Sequence, residues 1–171
     1  LLHIVSLIVL VFSYHYVRIA LPFFEGVEIN FFYILLAIVA GLAGSLFAAV
    51  VGVSTIIIDL LLGTTEQWIA IAISVGILGY VFGLGIRRKS FLSGTFSRHD
   101  ALRFNLIQVV ANVIIFGLIL PTLEVFFYQA STAVVFINGW IFSMINSILI
   151  ASFATAVFKL IANRVKDNTY I

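Results

Sequence analysis

From Ile29 to Leu62 the chain carries one charged residue, Asp59, in 34 consecutive positions. A helix on the surface of a soluble domain keeps a polar face toward water, and this stretch has none. As a single helix it would be about 51 Å long at about 1.5 Å per residue, too long for a hydrocarbon core of about 30 Å. The glycines of GLAG, Gly41 and Gly44, predict a tight turn that divides it into two shorter helices. Further apolar runs cover Leu1–Phe24 (with Pro22 near its end), Glu66–Gly85, Ala101–Phe127 (with Pro121 near its end) and Ala133–Asn163. They are continuous rather than alternating, which argues against a β-barrel. The expected fold is an all-α integral membrane protein: one domain over 1–171, a six-transmembrane-helix bundle. Leu1–Phe12 has the length of a signal-peptide core but no basic n-region or small-residue cleavage site, so it reads as part of the first span.

Composition agrees. The chain is 63% hydrophobic and 9% charged, against roughly 25% charged in a soluble domain, and its mean hydropathy is +1.25. A net charge of +2 spread over so few bases does not make a nucleic-acid surface. There is no cysteine, hence no disulfide framework and no thiolate metal site. HExxH, GxSxG and the Walker GxxxxGK[ST] are all missing from the sequence. His99-Asp100 has no third ligand nearby in sequence. The chain reads as a non-enzyme without metal or cofactor, and any active transport needs energy from another subunit.

Eight of nine Lys and Arg residues fall in two places: Arg87, Arg88, Lys89, Arg98 and Arg103 around the polar segment Ile86–Asp100, and Lys159, Arg164 and Lys166 near the C-terminus. Six spans put both on one side, and the positive-inside bias makes that side cytoplasmic, giving an N-in, C-in topology. Glu25, Glu28, Glu66 and Glu124 then lie toward the outer face.

Polar residues inside the spans need partners or a purpose. Asn105, Gln108 and Asn112 share one helix face. Asn105 lies about one turn inside the cytoplasmic end and reads as bundle glue, Asn112 near mid-membrane reads as a ligand contact with the same glue as its alternative, and Gln108 stays open between the two. His15, Arg18, Asn30, Asp59, Gln67, Trp68, Asn138 and Trp140 fall in the outer half. Taken together they predict a pocket of apolar and aromatic walls with a few placed polar groups. Alternatives stand beside each: an interfacial belt for Trp68 and Trp140, an ion pair with Asp59 or Glu28 for Arg18, a satisfied bundle histidine for His15. Gly76, Gly79 and Gly83, and the stripe Ser147, Ala151, Thr155, suit either internal helix packing or a membrane partner.

RFNLIQVVANVIIFGLILPTLEVFFY followed by VFINGW, with the two short helices around GLAGSLFAAVVG and the basic link, resembles the substrate-binding S components of energy-coupling factor (ECF) vitamin transporters. Within these the chain looks most like the riboflavin-type group, which includes predicted hydroxymethylpyrimidine and pyridoxine carriers. The resemblance implies an S component in a bacterial plasma membrane. It would capture a vitamin or precursor at the outer side and pass it inward with a membrane T component and two cytoplasmic ATPases. Hydroxymethylpyrimidine- or pyridoxine-like ligands fit two Trp and several amides best, and riboflavin is the alternative. A ligand-free accessory membrane subunit is the reading from another class. S components often present small residues on helix one to the T component; the corresponding VSLIVLVFS has Ser6 and Ser13.

Overall fold

The computed structural model describes residues 2–22, 27–63, 67–86 and 88–168, and only the backbone of Leu2, His3, Ser90 and Asn168. The readings for Glu25, Glu66 and Arg87 therefore lie outside the described residues. The described residues form six long helices and one short one. Trp68–Gly85 (α4), Arg98–Tyr128 (α6) and Thr132–Asp167 (α7) are long and apolar enough to cross a membrane by length and composition. Leu2–Tyr16 (α1), Phe32–Ala43 (α2) and Ser45–Leu61 (α3) are apolar but shorter. Arg88–Leu92 (α5) lies in the basic link. Large apolar side chains such as Ile8, Leu46, Leu106 and Ile148 are exposed on the outside of the bundle, the surface a lipid solvent requires.

Two boundaries correct the sequence reading. The first run does not stay helical to Phe24: α1 stops at Tyr16. A helix continued through Pro22 would lose an N–H and press the proline ring on the Arg18 carbonyl. The backbone instead extends, and Arg18–Ala20 (β1) pairs antiparallel with Glu28–Asn30 (β2), Arg18 opposite Asn30 and Ala20 opposite Glu28. The fold is thus mostly helical with one small hairpin. In GLAG, Gly44 alone makes the turn, at φ +99°, while Gly41 stays inside α2, where a Cβ would come within 2.7 Å of Phe158.

Helix α6 begins at Arg98, three residues before the expected Ala101. Ser97 Oγ accepts from Asp100 N (3.1 Å) while Asp100 Oδ2 accepts from Ser97 N (3.0 Å), the reciprocal arrangement that fixes a helix start. Its middle, Ile115–Ile119, is wound as π-helix, and Leu120 N reaches back to Ile115 O. Pro121 stands next in line: it has no N–H for the Gly117 carbonyl, and the wider turn relieves the clash. Helix α7 has a second π turn at Ile150–Ala154.

The glycine stripe settles inside. A Cβ on Gly79 would lie 2.8 Å from Ala48 O and one on Gly83 2.3 Å from Ser45 Cα, so these glycines let α3 and α4 touch backbone to backbone. Ser6 and Ser13 are buried within the bundle, so VSLIVLVFS turns its small residues inward.

Candidate functional site

The basic end is tightly closed. Arg88 Nε donates to Leu42 O (3.2 Å) and Arg103 Nη2 to Leu84 O (3.4 Å), each serving a carbonyl in the last turn of a helix. Beneath them Phe82, Phe91, Phe96, Phe104 and Phe158 meet edge to face, with centroids 5.2–6.2 Å apart. All but the half-buried Phe96 are fully buried.

One level further along, the amides find each other. Gln108 Nε2 donates to Ser147 O (3.0 Å), Asn112 Nδ2 to Gln108 Oε1 (3.0 Å) and Gln108 O (2.8 Å), and Asn146 Nδ2 to Asn112 Oδ1 (2.7 Å). Gln108 and Asn112 are completely buried and Asn146 nearly so. Three side chains thereby tie α6 to α7 and exchange one another's donors and acceptors, the condition for amides to sit in an apolar interior. Asn105 Oδ1 accepts from Thr155 Oγ1 (3.0 Å), the helix-to-helix bond expected of it.

One helical turn beyond this network, Phe116 follows Asn112 and Phe142 precedes Asn146. Together with Tyr33 they form a three-ring group, centroids 4.7–5.3 Å apart and near-perpendicular. These rings form the floor of a cavity of about 550 Å³ at the end opposite the basic link. Its sides come from the ends of α1 and α6, the hairpin, and the starts of α2, α4 and α7. The polar groups around it are Tyr14, Arg18, Glu28, Asn30, Gln67, Glu124 and Asn138. Gly139 makes the wall thin: a Cβ there would fall 2.2 Å from Phe116 O and 2.8 Å from Pro121.

Several of these groups are held in place. Asn30 Oδ1 accepts from Phe32 N (2.9 Å), finishing the start of α2, and its Nδ2 donates to Tyr14 O (3.3 Å). Arg18 pairs with Glu28 across the hairpin (3.7 Å), donates to His15 O (3.3 Å), and lies 5.9 Å from the Tyr14 ring centre. Tyr128 Oη accepts from Ile69 N (3.1 Å), fastening the end of α6 to the start of α4.

Of the residues singled out in the sequence, Arg18, Asn30, Gln67 and Asn138 line this cavity. The other six stand elsewhere. His15 Nδ1 meets the buried Asp59 Oδ1 at 2.8 Å and braces α1 against α3, so Arg18 pairs with Glu28 and Asp59 with His15. Gln108 and Asn112 belong to the amide network below the floor. Trp68 packs half-buried on the core, and Trp140 is 40% exposed with its indole against Gly117. Tyr14, Tyr33, Phe116 and Phe142 escaped the sequence reading, and Glu124, placed there toward the outer face, was not counted with the pocket. The signal for two of them was present: Phe116 and Phe142 are one turn from inward-facing amides, on the same helix faces.

Fold and cavity define a class: a helical membrane bundle with a ligand-sized chamber at one end. The sequence profile described as "ECF-type riboflavin transporter, S component" matches residues 3–163. The chain belongs to this family of S components, which are substrate-binding transporter subunits rather than enzymes. It is 31% identical over 139 residues to a UPF0397 protein of Lactococcus lactis subsp. cremoris, covering 80% of this chain and 76% of that one. A UPF0397 protein of Staphylococcus aureus is 28% identical over 140 residues, 82% and 76% of the two chains. Among solved structures, that of FolT bound with folic acid aligns with a TM-score of 0.65 at 15% identity, over 95% of this chain and 91% of FolT; this likeness concerns the fold.

Proposed function

We propose that the end cavity captures a small planar vitamin or vitamin precursor, of the hydroxymethylpyrimidine or pyridoxine kind. In this reading the chamber opens to the outside of a bacterial plasma membrane. The chain is an N-in, C-in six-span subunit that hands its ligand inward with a membrane T component and two cytoplasmic ATPases. The supporting observation is the chamber itself: about 550 Å³, within the roughly 300–1,000 Å³ usual for small-molecule sites, floored by aromatic rings and rimmed by polar groups. Arg18, Asn30, Gln67 and Asn138 are its proposed polar contacts, and Tyr33, Phe116 and Phe142 its stacking surfaces. Gln108 and Asn112 hold the floor from below, and His15 with Asp59 supports the wall. Riboflavin is the second reading, favoured by the description of the matching family.

The test is mass spectrometry of what co-purifies with the protein, followed by calorimetric titration with that compound. A ligand-free preparation that binds no heterocyclic vitamin would support a structural accessory subunit instead. For topology, Ser131→Cys should be labelled from outside in spheroplasts and Ser93→Cys protected; the reverse pattern would invert the orientation.

A further inference from the structure

Charge is unevenly settled around the chamber. Among the described residues its lining holds one cation, Arg18, and two carboxylates, Glu28 and Glu124. Arg18 and Glu28 pair with each other. Glu124 sits half-buried on α6, one turn past Leu120, which also lines the cavity, and among the described residues nothing donates to its carboxylate or pairs with it. The sequence offers no replacement, because every Lys and Arg except Arg18 belongs to the basic link or the C-terminal helix. The segments 23–26 and 64–66 add only Glu25 and Glu66 as charges. The nearby rings point the same way: Tyr33, Phe116 and Phe142 present π surfaces, which attract cations and repel anions at their faces.

Resting on the reading of this chamber as the ligand site, we infer that Glu124 is its specificity-determining residue, selecting a heteroaromatic ligand that carries a protonated or amino nitrogen. The carboxylate accepts a hydrogen bond from that nitrogen while the ring rests on the aromatic floor. Anionic analogues are rejected because they face an uncompensated carboxylate.

The probes are three compounds with one ring: pyridoxamine, pyridoxine and 4-pyridoxate, titrated into purified protein alongside riboflavin. Wild type should prefer pyridoxamine over 4-pyridoxate by at least about tenfold, the lower bound for a charge-assisted hydrogen bond. Glu124→Gln should compress that preference to within about threefold, and Glu124→Asp should retain most of it. The wild-type order alone tests the inference should Glu124→Gln fail to fold. Equal or tighter binding of 4-pyridoxate by the wild type, or an undiminished preference in Glu124→Gln, overturns it while leaving the chamber a vitamin site. Binding of riboflavin alone does the same. If none of the four binds, this inference falls; if hydroxymethylpyrimidine does not bind either, the proposed function falls with it.

Discussion

Two aromatic groups stand at opposite ends of the bundle, built from the same ring geometry. At the basic end, Phe82, Phe91, Phe96, Phe104 and Phe158 fill the interior. At the other, Tyr33, Phe116 and Phe142 pack equally close, 4.7–5.3 Å between centroids, yet border a chamber of about 550 Å³. What surrounds the rings makes the difference. The basic end is sealed by α5 and by arginines serving helix carbonyls. At the chamber end, α1 stops early, a hairpin replaces its last turns, and Pro121 forces a wide turn in α6. Rings at the first site fill space; at the second they frame it.

The comparison breaks most easily at Phe158. Its truncation to Ala should remove about 3–5 kcal/mol of stability, the usual cost of emptying a packed aromatic site, because Phe91, Phe96 and Phe104 all rest on it. Phe142→Ala enlarges an existing opening and should cost less. Thermal unfolding in detergent reads both, and equal losses would mean the two groups are packed alike.

The converse appears in binding. Phe142→Ala should weaken ligand affinity roughly 5- to 150-fold, corresponding to about 1–3 kcal/mol of buried aromatic contact. A conservative Phe158→Leu variant that stays folded should leave affinity unchanged. Titration with the co-purified ligand measures this, and a Phe158→Leu affinity loss as large as that of Phe142→Ala would erase the functional distinction.

Between the two ends, Asn112→Ala should cost about 1–3 kcal/mol of stability by removing the donor to Gln108 Oε1 and the acceptor for Asn146 Nδ2, with affinity held within about threefold. Asn138→Ala, at the chamber wall, should reverse the pattern, with affinity falling more than stability. Were Asn112→Ala to abolish binding in a protein of normal stability, the floor would have to lie one turn deeper.

The smallest effect belongs to the sealed end. Arg88→Ala removes one partially exposed bond to Leu42 O and a favourable charge at a helix terminus, about 0.3–1 kcal/mol. A unfolding shift comparable to that of Phe158→Ala would show that the arginine, not the rings, closes this end.

Much of the architecture was legible along the chain. The apolar runs announced membrane helices because lipid imposes a length and a polarity that few other environments require. The motif from Arg103 to Tyr128 carried the family. The spacing of Asn105, Gln108 and Asn112 marked an inward helix face. Less legible were the local departures: Pro22 was visible, but its consequence depended on Glu28–Asn30 returning to pair with Arg18–Ala20.

The sequence by itself determined that this is a membrane bundle of the S-component family, because hydropathy and motif are properties of segments. Only the tertiary structure decided which polar residues join the network between the helices and which line the chamber. Asn112 and Asn138 are both amides in apolar helices. Asn112 is enclosed by Gln108 and Asn146, and Asn138 lines the chamber, because the surroundings of each depend on how α6 and α7 are set side by side. That register comes from packing, through Gly139 against the Phe116 carbonyl and the wide turn before Pro121. No periodicity within a single helix encodes it.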